Sequence, residues 1–300
     1  LDVVRLVNAE GDLLPGLVVD RYGKVVVIQT RVLGWERRRD AVVDAVIEAM
    51  ESLVAPTAVV LRNDSPSRKA EGLESYCLVA RGSLEGPVVI SEGGLDLEVD
   101  VLEGQKTGFY IDQRDNRALV LPYVRGKRVL DCFCYTGAWS LACAKAGASE
   151  VIGLDSSAPA VELARRNAER NGLATAAGFE MCDIFDRLGE LAARREKFDV
   201  VILDPPSLAK TRRAVSGAER GYVHLNRLAL GLLRPGGVLA TCSCSHHVSS
   251  DGFLEMLRSA AALARKQVAV LSSGAQPPDH PWLVGLPETH YLKCVVLALP

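Results

Sequence analysis

The residues able to do chemistry gather at the ends of apolar runs. Cys242 and Cys244 stand in Thr241-Cys242-Ser243-Cys244-Ser245, after Val238-Leu239-Ala240, and Asp204-Pro205-Pro206-Ser207 follows Val200-Val201-Ile202-Leu203. Both runs read as strands, so a thiol and a carboxylate can face one crevice. A thiolate is a nucleophile that splits one hard step into easier ones through a covalent intermediate. A free thiol titrates near ~8.5, so a reactive one needs a nearby positive charge or an array of donors. Cys244, between two serines, is the candidate nucleophile. Cys242 lies inside the strand, where it packs as a small hydrophobe. The competing reading makes both of them core cysteines. Two successive prolines cannot continue a sheet ladder and fix a rigid exit that holds Asp204 at the sheet edge. A plain strand-ending turn would carry the same signature.

Upstream, Val129-Leu130-Asp131-Cys132-Phe133-Cys134-Tyr135-Thr136-Gly137 reads as strand, tight turn and helix start. Phe133, Tyr135 and Thr136 occupy the turn. Gly137 closes it, where the missing side chain lets the backbone approach a ligand. The segment is neither a G-x-G-x-x-G fingerprint nor a P-loop. Asp155 ends the next apolar run, where an acid can bind both hydroxyls of a ribose; a helix N-cap is the alternative. Asp183 sits where a third strand would end. It can accept from an exocyclic amine of adenine or cap the following helix. Gln113, Arg114 and Asn116 place dense donors at a helix start, for a ligand or for capping and ion pairs.

These residues need a scaffold. Residues 1–84 read as a small α+β domain without a catalytic constellation, with a short strand within 12–23, strands at 25–30 and 58–61 and a helix over 40–53. Residues 85–300 read as a second domain. It opens on a hairpin whose first strand is 95–101, with its partner expected in 104–110. Strands are expected at 128–132, 150–154, 198–203, 236–242 and 290–298. Helices are expected near 112–121, 138–146, 157–171, 186–194, 219–233 and 251–265. This alternation predicts an α/β, doubly wound sheet with helices on both faces.

Composition narrows the function classes. The 300 residues are 48% hydrophobic and 24% charged, with net charge −2, which suits a globular core and does not announce nucleic-acid binding. No run of eighteen apolar residues predicts a membrane span, and the N-terminus has no signal-peptide pattern. The chain begins at Leu1 without an initiator Met, as a fragment or processed form would. Eight cysteines in a chain this long and apolar point to free thiols in a reducing cytosol, hence a cytoplasmic location. The C-x-C spacings are too tight for zinc knuckles, and the adjacent His246 and His247 would point to opposite faces of a strand, so no metal is expected. Neither His has an assigned role. The clusters Arg37–Arg39 and Arg125–Arg128 read as solvated surface, and Arg68-Lys69 is a further basic pair. Lys210-Thr211-Arg212-Arg213, directly after the Asp204 loop, is a candidate for phosphate contact.

The segments together resemble class I S-adenosylmethionine-dependent methyltransferases. More closely, the chain resembles the ribosomal RNA large-subunit methyltransferase family that makes 5-methylcytosine in 23S RNA. The likeness is carried by Gly104 to Arg117, the Asp131-to-Gly137 loop, Asp204-Pro205-Pro206-Ser207-Leu208-Ala209-Lys210 and Cys242 to Ser245, and it covers nearly the whole chain. It implies a Rossmann-like methyltransferase sheet preceded by a small α+β domain, with 23S ribosomal RNA as substrate. The implied cofactor is S-adenosyl-L-methionine, held by Phe133, Tyr135, Thr136, Gly137, Asp155, Asp183, Asp204, Gln113, Arg114 and Asn116. It also implies that Cys244 adds to cytosine C6 while Asp204 hydrogen-bonds or protonates the N3 edge, which needs a raised carboxyl pKa. The family commonly carries a PUA RNA-binding domain ahead of this region, and this chain starts after the point where that domain would end. Two rivals stay open: methylation of another atom such as a guanine nitrogen, and a non-catalytic RNA-binding or assembly factor. A homodimer is left open.

Overall fold

The computed structural model describes residues 1–208 and 215–300. The chain forms two compact units, Leu1–Arg114 with Pro277–Thr289, and Asp115–Gln276 with His290–Pro300. The basic cluster Lys210–Arg213 lies outside the described residues.

The first unit is built on a five-stranded sheet, β1 (Val3–Asn8), β2 (Leu17–Tyr22), β3 (Val25–Thr30), β4 (Ala58–Asn63) and β5 (Tyr76–Gly82), in that order. β3 and β4 run parallel and the other neighbours antiparallel. The parallel pair is joined through α1 (Leu33–Glu36) and α2 (Arg39–Glu51). Helical spacing puts Val43 and Met50 of α2 on one face, where they pack with Val26, Ile28, Val59 and Leu61. The edge strands β1 and β5 are not evident in the sequence. β5 is mostly exposed and β1 mostly half-buried, so neither carries a clean alternation.

Two features of this unit differ from the sequence expectation. The hairpin partner of β7 (Leu95–Val99) is the upstream β6 (Val88–Glu92), not 104–110. Gly93 and Gly94, with φ of 59° and 75°, make the two-residue turn that sets this pairing. The boundary expected at 84/85 falls at 114/115, because residues 85–114 are tied into the first sheet. Arg62 donates to the carbonyls of Val101 and Gly104 at 2.9 and 2.8 Å. The Thr107 hydroxyl donates to the buried Asp20 at 2.6 Å. Burial alone would raise the Asp20 carboxyl, but the Arg5 guanidinium holds it below its usual range.

The second unit opens with α3 (Arg114–Val120), whose first residue belongs to the first unit. It then alternates β8 (Arg128–Cys132), α4 (Ala138–Lys145), β9 (Glu150–Asp155), α5 (Ala158–Arg170), β10 (Ala177–Met181), α6 (Ile184–Ala193), β11 (Phe198–Leu203), α7 (Val215–Leu232), β12 (Leu233–Ser243), α8 (Ser250–Ala264), β13 (Ala269–Gly274) and β14 (Lys293–Ala298). The sheet order is β10-β9-β8-β11-β12-β14-β13. The first five are parallel, and β14 is antiparallel to both its neighbours. The chain winds outward from β8 to β10, then returns to β11 on the other side. The order therefore reverses between β8 and β11, and a crevice opens at their C-terminal ends. Apolar runs such as Val200–Leu203 are buried on both faces, among Leu130, Leu188, Tyr222, Leu239 and Phe253.

Candidate active site

Register fixes which residues meet at the crevice. Leu203 pairs with Cys132 on one side and Thr241 on the other. The next residues out are therefore Phe133, Asp204 and Cys242, with Cys244 two further along.

The exit of β8 is made of backbone. Phe133, Tyr135 and Gly137 all adopt left-handed conformations, with φ of 68°, 49° and 86°. Three of the loop's N–H groups are spent on holding its shape: Cys134 donates to the Leu154 carbonyl at 2.9 Å, Tyr135 to Asp155, and Gly137 to the Cys134 carbonyl at 2.9 Å. A Cβ at Gly137 would stand 3.0 Å from Phe179 Cζ and 3.1 Å from Ala164 Cβ, so space as well as φ demands glycine. The buried Thr136 is fastened through its carbonyl, which accepts from Asn167 Nδ2 at 3.2 Å.

Asp155 braces this loop. Its carboxylate accepts the Tyr135 N–H at 2.8 Å and the Ser157 N–H at 2.9 Å. The cap of α5 is Ser157, not Asp155. Asp183, by contrast, does cap α6, with Oδ1 accepting from Phe185 and Asp186 at 2.9 and 3.1 Å. It is exposed. Both acids stand at the ends of adjacent strands, since Met181 pairs with Asp155.

At the β11 exit, Asp204 is half-buried and its Oδ2 accepts the Trp139 indole N–H at 3.0 Å. Trp139 lies in the first turn of α4, so this bond spans the point where the strand order reverses. At the β12 exit, Cys244 is half-buried, with Sγ 3.9 Å from the Pro205 carbonyl. Cys242 is fully buried in the strand. Serine hydroxyls and Tyr222 of α7 knit the two exits together. Ser207 and Ser245 are 3.0 Å apart, and the Tyr222 hydroxyl reaches Ser245 at 3.0 Å and accepts from Ser243 at 3.1 Å.

Sequence reasoning passed over four residues here. Asp131 is fully buried, accepts from the Ser140 hydroxyl at 2.6 Å, and has no hydrogen-bond partner on Oδ1. Burial pushes its carboxyl up to about 7, helped by the charges of Asp204 and Asp155 and opposed by Ser140. Trp139, Tyr222 and Lys293 are the others. A signal existed for two of them: Asp131 and Lys293 are charges inside apolar runs, which buried strands rarely tolerate without a purpose.

The segment near residue 113 is divided between the units. Gln113 is buried in the first unit. Arg114 forks onto Asp279 at 3.1 and 3.2 Å within the same unit, and His280 and Arg114 together hold that carboxyl well below its usual range against the effect of burial. Asn116 is buried in the second unit, its side-chain oxygen filling the space where a Cβ on Gly274 would stand. His246 is exposed and stacks on Tyr291, with ring centroids 5.0 Å apart. No helix among the described residues is long and apolar enough to cross a membrane.

Residues 69–287 match the family of S-adenosylmethionine-dependent methyltransferases, the class that this strand order and switch-point crevice define. Ribosomal RNA large subunit methyltransferase I of Shewanella denitrificans is 42% identical over 294 residues, covering 97% of this chain and 73% of that protein. The protein of the same name from Photobacterium profundum is 44% identical over 292 residues, covering 96% and 72%. The chain belongs to the ribosomal RNA large subunit methyltransferase I family. Among solved structures, the methyltransferase SMU.776 in complex with SAH shares the fold, with a TM-score of 0.86, 23% identity, and coverage of 99% of this chain and 75% of that one. A tRNA m1G37 methyltransferase of M. jannaschii shares it more distantly, with a TM-score of 0.62, 18% identity, and coverage of 95% and 76%. Fold alone therefore does not decide which base atom is methylated.

Proposed function

We propose that this chain methylates C5 of a cytosine in 23S ribosomal RNA through a covalent adduct on Cys244. The observation that carries the reading is the position of one thiol. Of the two cysteines at the β12 exit, Cys244 is the half-exposed one, and its sulfur abuts the Asp204-Pro205-Pro206 exit of the neighbouring strand. A methyltransferase acting on a ring nitrogen needs no thiol there.

The crevice fits the cofactor of the family. The left-handed turn of Phe133 to Gly137 fixes the backbone at the β8 exit, packed tightly on Phe179 and Ala164, where the family's cofactor loop would lie. Asp155 has acceptor capacity beyond its two N–H bonds for the ribose hydroxyls. The exposed Asp183, whose cap uses only Oδ1, has an acceptor left that suits the exocyclic amine of adenine. S-adenosylmethionine, when bound, supplies an electrophilic methyl group on a sulfonium. Gln113 and Asn116 belong to the proposed cofactor set by resemblance alone. The ion pair of Arg114 with Asp279 supports a structural role for that arginine.

The residues then divide the work. The target base must leave its stack to enter the crevice, at a cost of a few kcal/mol. Cys244 Sγ bonds to C6, and the electron pair displaced from the C5–C6 double bond makes C5 nucleophilic. Asp204, steadied by Trp139, holds the N3 edge where charge develops. After C5 is methylated, its proton leaves to a base and the C6–Sγ bond breaks, restoring the aromatic ring and the thiolate.

RNA carrying 5-fluorocytosine tests the scheme. Fluorine cannot depart as a proton does, so incubation with the cofactor should give an RNA adduct that survives denaturing electrophoresis and maps to Cys244. Methylated RNA with no such adduct, or a product bearing methyl on a guanine nitrogen, would overturn the reading.

A further inference from the structure

A buried cation stands behind the Cys244 turn. Lys293 on β14 pairs in register with Ser243, the residue before Cys244. Its side chain is 4% exposed. Nζ donates to the carbonyls of Ser245 at 2.8 Å, Val248 at 2.7 Å and Tyr291 at 2.7 Å. An ammonium has three protons, so all are committed to backbone oxygens and none remains for substrate or cofactor. Two of the three carbonyls belong to the chain just after Cys244, and the third to the approach to β14.

Burying a charge is costly, and a methionine would fill the same apolar run, Leu292–Leu297, without that cost. Tying a turn to a strand can be done with neutral donors, as Tyr222 and the serines do beside it. What Lys293 adds is its positive charge. Burial pushes the ammonium down to about 8, and Cys244 acts in the opposite direction, keeping it charged. That attraction is mutual: a sulfur that favours the ammonium is itself favoured as thiolate by the ammonium.

We propose that Lys293 is a positioning residue for Cys244, holding the Ser245–Val248 turn against β14 and supplying a positive charge that favours the thiolate. This rests on the covalent reading of Cys244. Among the described residues, the groups named beside the thiol differ from Lys293 in charge or exposure. Tyr222 of α7 has a phenol raised above its usual range, by burial first and by Cys244 among the lesser causes. Asp204, on the β11 exit, carries the wrong sign. His246 and His247 follow in the chain and are exposed.

The test is the pH profile of Cys244 alkylation by iodoacetamide, read by peptide mass spectrometry. In Lys293→Met the profile should move to higher pH by about one unit, so that alkylation at neutral pH slows about tenfold. Calorimetric affinity for S-adenosylmethionine should be unchanged, and Lys293→Arg should restore the wild-type profile. A folded Lys293→Met with the wild-type profile overturns the proposal. If Lys293→Met does not fold, Cys244→Ala decides, since it leaves every hydrogen bond of Lys293 in place. The Lys293 ammonium, followed by NMR with labelled lysine, should then titrate at lower pH than in the wild type; an unmoved titration overturns the proposal. Shifts as expected in a Cys244→Ala protein that still methylates RNA would sink the covalent reading and leave the coupling standing.

Discussion

Two Cys-x-Cys pairs end two parallel strands of one sheet, and they have become different chemical objects. Cys132 and Cys134, at the β8 exit, are buried, and both thiols are pushed well above their usual range, by burial first and by the Asp131 carboxylate next. Cys244, at the β12 exit, is half-exposed above a buried ammonium. The difference lies in how the chain leaves the strand. At β8 the left-handed Phe133 and Tyr135 fold Cys134 beneath the loop, where its N–H bonds the Leu154 carbonyl at 2.9 Å. The backbone is what faces the crevice. At β12 the exit is held from the side by hydroxyls and from below by Lys293, and the thiol is what faces out. Identical spacing thus gives a proposed cofactor loop in one place and a candidate nucleophile in the other. The environment, not the motif, sets the reactivity.

The largest test of this contrast exchanges one sulfur at a time. Cys244→Ala should lower turnover by about 10³-fold or more while leaving cofactor affinity nearly intact, as loss of a nucleophile does. Cys134→Ala should keep turnover within about tenfold and instead cost ~1 kcal/mol of stability, as a small core deletion does. Methylation assays with isothermal titration and urea unfolding measure all three quantities. Equal loss of turnover in both variants would break the distinction between the two exits.

Asp131 sharpens the contrast, because its charge opposes thiolate formation at β8. Its carboxyl titrates at about 7 when folded, against 3.8 as the reference value. Between those two values the folded chain binds more protons than the unfolded one. Stability from this group is therefore present at low pH and is lost as pH rises through that window. A shift of this size corresponds to ~4 kcal/mol as an order of magnitude. Asp131→Asn should accordingly be more stable than the wild type at mildly alkaline pH, and the gap should close as pH falls toward 4. Parallel stability profiles for the two proteins, measured by urea unfolding across that range, would show that the buried carboxyl carries no such cost.

The sheet was legible because its strands are apolar runs closed by turn residues: Arg128–Cys132 and Phe198–Leu203 stand where the pattern puts them. β13 escaped because its residues are exposed or half-buried on an edge, leaving no period to read. The candidate site was legible as a place in the fold where a residue type is rare in its setting, as with Asp204 before two prolines. Its support was less so. The bond from Trp139 to Asp204 spans 65 positions, and that from Lys293 to Ser245 spans 48, distances that no local pattern encodes. Asp183 shows the opposite limit. Its capping geometry is plain in the structure, yet a cap and a ligand acceptor share the same sequence signature.

The smallest expected effects come from one lesion in each exit. Gly137→Ala puts a Cβ at φ 86°, 3.0 Å from Phe179 Cζ, and should cost ~1–3 kcal/mol of stability. Because the strain falls on the backbone cradle, its kinetic signature should be weaker cofactor binding. Tyr222→Phe removes a hydroxyl from the Ser243–Ser245 network without touching the cradle, a change worth ~1 kcal/mol. Its signature should be a few-fold loss in kcat with cofactor affinity held, since only the seat of the thiol loosens. The two variants thus separate a conformational exit from a networked one by which constant moves. Should Tyr222→Phe weaken cofactor binding as much as Gly137→Ala does, the exits are coupled, and the division between cradle and nucleophile is not where the two strand ends place it.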